Sequence, residues 1–172
     1  MLSFKSFLTE ARMSPLYHAT SAIHAKSIIN DNLLRGSSYN ELIGDTALSL
    51  TRNFKFAEMW QYEITSNPGV IFELDQQKLS HNYKLVPFNY FARYNRTARL
   101  KSNKTGFVFD NQYEESIQGG IKNLDRYITK VMVSKENLGT MLQIPGKYSV
   151  ILDHPHLYNY TDKVFVNRKR GA

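Results

Sequence analysis

The 172-residue chain contains no cysteine. That excludes a disulfide framework and thiolate zinc sites, and it suits a reducing compartment. No apolar run approaches the roughly 20 residues that a membrane-spanning helix needs. Lys5, Glu10 and Arg12 interrupt the first turns, where a secretory signal would carry its apolar stretch. A soluble chain with no membrane partner is expected. Neither a phosphate loop nor the glycine fingerprint of a dinucleotide fold occurs, so a nucleotide would need another kind of cleft. No acidic residue lies between Asp75 and Asp110.

That acid-free window holds Lys78, Lys84, Arg93, Arg96, Arg99, Lys101 and Lys104, seven cations against a net charge of +7 for the whole chain. Within it, residues 88–99 interleave Phe88, Tyr90, Phe91 and Tyr94 with arginines. Arginines meet phosphates and aromatic rings stack on bases, so Arg93, Arg96, Arg99 and Lys101 are the expected nucleic-acid contacts. The alternative is a solvated basic loop whose rings pack inward.

The length fits one domain, and a hydrophobic content of 42% supports a packed core. Residues 1–12 predict a short amphipathic helix, with Phe4, Phe7, Leu8 and Ala11 at helical spacing, as a leader to a single domain over 13–172. Leu16–Ala19 predicts a strand. Thr20 or Ser21 caps a helix to about Asn30 with Ala22, Ala25, Ile28 and Ile29 on one face. Residues 35–46 predict a polar loop, and Ala47–Thr51 a strand with Leu48 and Leu50 on one side. Asn53 caps a helix to about Ile64 with Phe56, Met59, Trp60 and Glu63 in one stripe, Met59 and Trp60 being core residues. Further strands are expected at Val70–Leu74, Tyr83–Val86, Tyr113–Ile117, Ile128–Val133 and Tyr148–Leu152. A turn is expected at Gly119-Gly120 and a helical turn at 123–127. Early helices followed by short strands predict an α+β fold with a split, mixed or antiparallel sheet and flanking helices.

Three local patterns fall in order: Tyr17-His18-Ala19-Thr20-Ser21 on a strand, Ser49-Leu50-Thr51-Arg52-Asn53 at a strand end, and Tyr113-Glu114-Glu115-Ser116-Ile117 before the Gly119-Gly120 turn, with Asn123-Leu124-Asp125-Arg126-Tyr127-Ile128 following. Over residues 15–134 this arrangement resembles the ADP-ribosyltransferase superfamily, in its small bacterial and phage branches. The resemblance implies that NAD is consumed as substrate, without a metal, and that its ADP-ribosyl group passes to an acceptor. It implies a carboxylate that stabilises the oxocarbenium-like transition state and deprotonates the acceptor: Glu114 first, because the family's glutamate lies on a strand just before a glycine turn, with Glu115 as the alternative. Arg52 would bind the pyrophosphate or orient the glutamate. His18 and Thr20 would bind the ribose or amide, with Ser49 and Thr51 supporting that strand and Tyr90 or Tyr94 stacking on nicotinamide. Ala19 stands where the family often has glycine, and Ser116 where arginine is common. The five histidines offer no metal site by spacing, His154 and His156 flanking Pro155 being the nearest approach.

Leu8-Thr9-Glu10 before Ala11 is similar to the processing site of head-packaged proteins of T-even-type tailed phages. That resemblance implies cleavage after Glu10, packaging in the phage head, injection, and action in the host cytoplasm. It leaves a second reading open, a virion-packaged nucleic-acid-binding protein without catalysis on the same fold.

Overall fold

The computed structural model describes residues 14–36, 47–64, 68–87 and 114–166. The predicted leader helix, most of the 35–46 loop and the basic stretch at 88–106 lie outside these residues.

Leu16–Ser21 forms β1, and Ser21 then caps α1 (Ala22–Asp31) by accepting from the His24 amide at 3.3 Å. The sequence left Thr20 and Ser21 open as caps; Ser21 holds that role. Asn32 ends α1 in the left-handed region, at φ 49°. Asparagine tolerates that conformation better than most residues, and its side chain is held from far along the chain by Asp125, at 2.9 Å in both directions. The chain continues as β2 (Leu33–Arg35), β3 (Ala47–Thr51) and α2 (Phe54–Ile64). Asn53 caps α2, accepting from the Phe56 amide at 3.3 Å.

Next come β4 (Gly69–Leu74), α3 (Gln76–Asn82), β5 (Val86–Pro87), β6 (Glu114–Gln118), β7 (Gly120–Lys122) and a single helical turn at Leu124–Arg126. β8 (Ile128–Val133), α4 (Lys135–Gln143), α5 (Pro145–Leu152), β9 (Leu157–Asn159) and β10 (Val164–Phe165) follow.

The sheet order is β10-β9-β8-β4-β1-β3-β6-β5, and β2 pairs with β7 in a small separate ladder. Every pairing is antiparallel except β8 with β9. β1 pairs with β4 over six residues and β3 with β6 over five. Between β1 and β3 the register holds only Tyr17 against Thr51. Two well-laddered halves therefore meet along a weakly paired seam, in an α+β arrangement.

The larger core covers one face of the sheet. Leu16, Leu48, Leu50, Val70, Phe72, Leu74 and Ile117 pack there against Ala22 and Ala25 of α1 and Tyr148, Ile151 and Leu152 of α5. Burying a side chain such as Phe72 contributes about 2–3 kcal/mol. The smaller core on the other face gathers Ala57, Ile71 and Met132 with Tyr17, Phe54 and Tyr160.

Three expectations need correction, and one helix was not foreseen. Tyr148–Leu152 is helix, not strand. Its β-branched and aromatic residues read as a strand, but Pro145 opens the helix and the buried residues fall at i, i+3 and i+4. Trp60 is 37% exposed and stacks on Phe56, while α2 buries Ala57 and Gln61 instead. A small residue at the contact lets the helix approach β1 and β4 closely, and this turns the aromatic stripe outward. The Glu63 side chain lies outside the described residues. Residues 76–82, to which no element was assigned from the sequence, form α3 because Asp75 caps them, accepting from the Lys78 amide at 3.0 Å. The strand expected at Tyr83–Val86 is displaced to Val86–Pro87, after the helix.

Candidate functional site

Strand alternation and register decide which side chains meet. In β6 Glu115 pairs with Leu50, and both belong to the face that carries the larger core. Glu114 pairs with Thr51; its side chain lies outside the described residues. Arg52 follows β3 directly and turns onto the face of Leu50 and Glu115.

There Arg52 and Glu115 form an ion pair. Nε donates to Glu115 Oε1 at 2.9 Å and Nη2 to the same oxygen at 2.7 Å. The two side chains are 19% and 9% exposed, so the pair sits in a poorly solvated place. Nη1 of Arg52 donates to Ser14 Oγ at 2.9 Å and to Gln76 Oε1. Four hydrogen bonds thus fix the guanidinium plane, and both bonds to the carboxylate fall on Oε1. The second oxygen, Oε2, takes neither of them.

His18 stands on the same face, in register with Phe72 of β4. Continuing the alignment of Tyr17 with Thr51 sets His18 beside Leu50, and Leu50 beside Glu115. Two strand spacings therefore separate His18 from Glu115, about 10 Å. His18 spans the seam: its Nδ1 lies 3.2 Å from the Ser49 carbonyl oxygen. A carbonyl only accepts, so the imidazole donates through Nδ1, and in the neutral ring Nε2 carries the lone pair. Burial lowers the His18 pKa below 6.5, and the bond to Ser49 opposes that shift in part. The ring is neutral at pH 7.

The structure thus joins Arg52 and Glu115 and sets His18 on the same face, without a hydrogen bond to either. Thr20 shares their face, in register with Val70. Ser49 and Thr51 alternate to the other face. Ser49 contributes its carbonyl to His18, and Thr51 accepts from the Asn53 amide at 3.0 Å, which shapes the entry to α2. Tyr90, Tyr94, Arg93, Arg96, Arg99 and Lys101 lie outside the described residues.

A second polar row occupies the opposite face. Tyr17 pairs with Glu73, and Glu73 with Lys130. Lys130 Nζ lies 2.9 and 3.1 Å from the two Glu73 oxygens, and Thr129 Oγ1 donates to Glu73 at 2.8 Å. Burial, and then the Glu73 charge, push the Tyr17 hydroxyl up to about 12. This carboxylate is fully engaged, which makes the row a structural tie in the centre of the sheet.

Sequence reasoning did not find Ser14 and Gln76. The only signal for Gln76 was the capping residue Asp75 before it. Asp75 is itself fixed, because its amide donates to the Tyr127 carbonyl at 2.8 Å. The Asn123–Ile128 segment of the third pattern thereby supports the start of α3.

Among the described residues no group of three or more His, Asp or Glu side chains is arranged to hold a metal ion. Among them, too, no helix is long and apolar enough to cross a membrane. No protein-family model and no curated protein matches the chain.

Proposed function

We propose that this chain is a mono-ADP-ribosyltransferase that takes ADP-ribose from NAD, with Glu115 as the catalytic carboxylate. The observation that carries this reading is the Arg52–Glu115 pair, held on one face of a seamed sheet with the neutral His18 two strands away. The sequence puts Glu114 first and Glu115 second; the Glu114 side chain lies outside the described residues, and the oriented, poorly solvated carboxylate of Glu115 supports the second choice.

In this reaction the glycosidic bond between C1′ of the ribose and the nicotinamide nitrogen breaks, and its electron pair leaves with nicotinamide. The ribose carries the positive charge that develops, and a fixed carboxylate stabilises it without reorganising. Glu115 Oε2 is the oxygen suited to that task, since Arg52 occupies Oε1. A lone pair of the acceptor then forms the new bond to C1′, and the acceptor proton passes to Glu115. His18 Nε2, on the same face of the sheet, accepts from a ribose hydroxyl. The bound acceptor would be nucleic acid or a nucleic-acid-associated protein, met by the basic stretch with Arg93, Arg96, Arg99 and Lys101. The reading of the first residues as a phage leader belongs to the same proposal, and would bring the enzyme into the host with the DNA.

The test is incubation with labelled NAD and a bacterial lysate, with Glu115→Gln and Glu114→Gln alongside, followed by separate nuclease and protease digestion. Label that vanishes in Glu115→Gln and persists in Glu114→Gln is expected. The digestion identifies the acceptor class.

A second reading is favoured by the Arg52 hydrogen bonds themselves, which go to protein acceptors. It makes the same ion pair a structural tie in a non-catalytic nucleic-acid-binding protein. Salt-sensitive binding of DNA or RNA, with no NAD-dependent label, would establish it.

A further inference from the structure

Arg52 has one edge, Nε and Nη2, that meets Glu115, and a far nitrogen, Nη1, that does not. A guanidinium is planar, so a constraint on Nη1 sets the direction of the opposite edge. We propose that Gln76 is a positioning residue for the catalytic carboxylate: it anchors Nη1 of Arg52 and so aims the Nε–Nη2 edge at Glu115 Oε1. The inference rests on the reading of Glu115 as the catalytic group.

Three observations carry it. Gln76 is 5% exposed, an unusual place for a carboxamide unless its polar atoms are used. Arginine has donors only, so the atom that faces it must be Oε1. This assigns the amide orientation and turns the Nε2 donors away from Arg52. Lastly, Gln76 is the first residue of α3, and its backbone is held from both sides. Asp75 caps the helix at the Lys78 amide, and the Asp75 amide is bound by Tyr127. The residue before β8, the helix start and the glutamate are thereby connected. Ser14 supplies the second bond to Nη1. It sits on the segment just before β1.

The substitution Gln76→Met keeps the length and removes the acceptor, while Gln76→Glu keeps an acceptor at the same reach. Two measurements separate the outcomes. The first is steady-state NAD-dependent labelling. Gln76→Met is expected to lower kcat roughly 10- to 100-fold with KM for NAD changed less than about threefold, because misplacing a catalytic group acts on the transition state. Gln76→Glu should recover most of that loss. The second is the side-chain nitrogen NMR spectrum of Arg52, identified by its absence in Arg52→Lys. A guanidinium held at both ends rotates slowly about Nε–Cζ and shows separate Nη signals. Gln76→Met should merge them and Gln76→Glu keep them apart. Unchanged Arg52 signals in Gln76→Met would overturn the proposal whatever the activity. So would an unchanged kcat in an enzyme that Glu115→Gln inactivates. A wild-type chain with no NAD chemistry would end the transferase reading alone, and the NMR arm would still decide whether Gln76 positions Arg52. Ser14→Ala, which leaves the folded core untouched, repeats both measurements should Gln76→Met fold poorly, with a smaller effect in the same direction expected.

Discussion

Arg52 and Glu115 are 63 residues apart in sequence, yet both Nε and Nη2 of the arginine donate to one carboxylate oxygen of the glutamate, at 2.9 and 2.7 Å. The contact joins the end of β3 to the strand beside it, at the end of their ladder where Thr51 pairs with Glu114.

Because both partners are mostly buried, removing one leaves the other charged and poorly solvated. Arg52→Ala is expected to destabilise the fold by about 3 kcal/mol, at the low end for a broken buried pair. Denaturant unfolding checks this. A double-mutant cycle with Glu115→Gln should return a coupling above about 1 kcal/mol, whereas a coupling near zero would show a pair without energetic weight.

Stability should fall on mild acidification. Burial lowers the His18 pKa, and burial followed by the charge of His156 lowers that of His154 from 6.5 to about 4. As pH drops below 6.5 the unfolded chain takes up these protons first. The stability that neutral histidines contribute is therefore present above 6.5 and is lost progressively toward pH 4. Unfolding curves across that range for wild type and His154→Gln should converge at acid pH. Parallel curves would contradict the assignment.

The two glycines after β6 serve different ends and should respond differently. Gly119 has φ +78°, a conformation that costs a side-chain-bearing residue about 1 kcal/mol, so Gly119→Ala should be mild. A Cβ on Gly120 would lie 2.5 Å from the Leu34 carbonyl oxygen and 3.1 Å from the Arg35 Cα. Those are backbone atoms and cannot swing away. Gly120→Ala should cost about 1–3 kcal/mol and loosen the β2–β7 ladder. Thermal unfolding and amide exchange at Leu34 measure the two effects.

Asp75→Ala removes the cap of α3 and should cost about 1 kcal/mol. It should also weaken the hold on Gln76, so the Arg52 side-chain signals should change more than in a destabilised control such as Gly119→Ala. Equal behaviour of the two variants would detach the helix start from the site.

Much of this architecture is legible in the residues. Alternation of Leu48 and Leu50 with Ser49 and Thr51 marks β3 and its buried face. The caps Ser21 and Asn53 mark two helix starts. Ile128–Val133 is an apolar run of strand length between turn residues. Misreadings came where two local rules compete. Tyr148–Leu152 has strand-forming side chains at helical spacing, and the packing of Tyr148, Ile151 and Leu152 onto α1 selects the helix. The site was legible in part. His18, Arg52 and the glutamate pair are visible as local patterns, but a repeat of two acids in a strand says only that they face opposite ways.

The amino-acid sequence alone therefore determined the local states and the polar groups available to a site, because alternation, capping and turn chemistry act over a few residues. The tertiary structure decided that Glu115 joins Arg52 and that Ser14 and Gln76 anchor the guanidinium. Those outcomes depend on strand register and on a helix start held by Tyr127, contacts between residues far apart in the chain, and no local propensity encodes them.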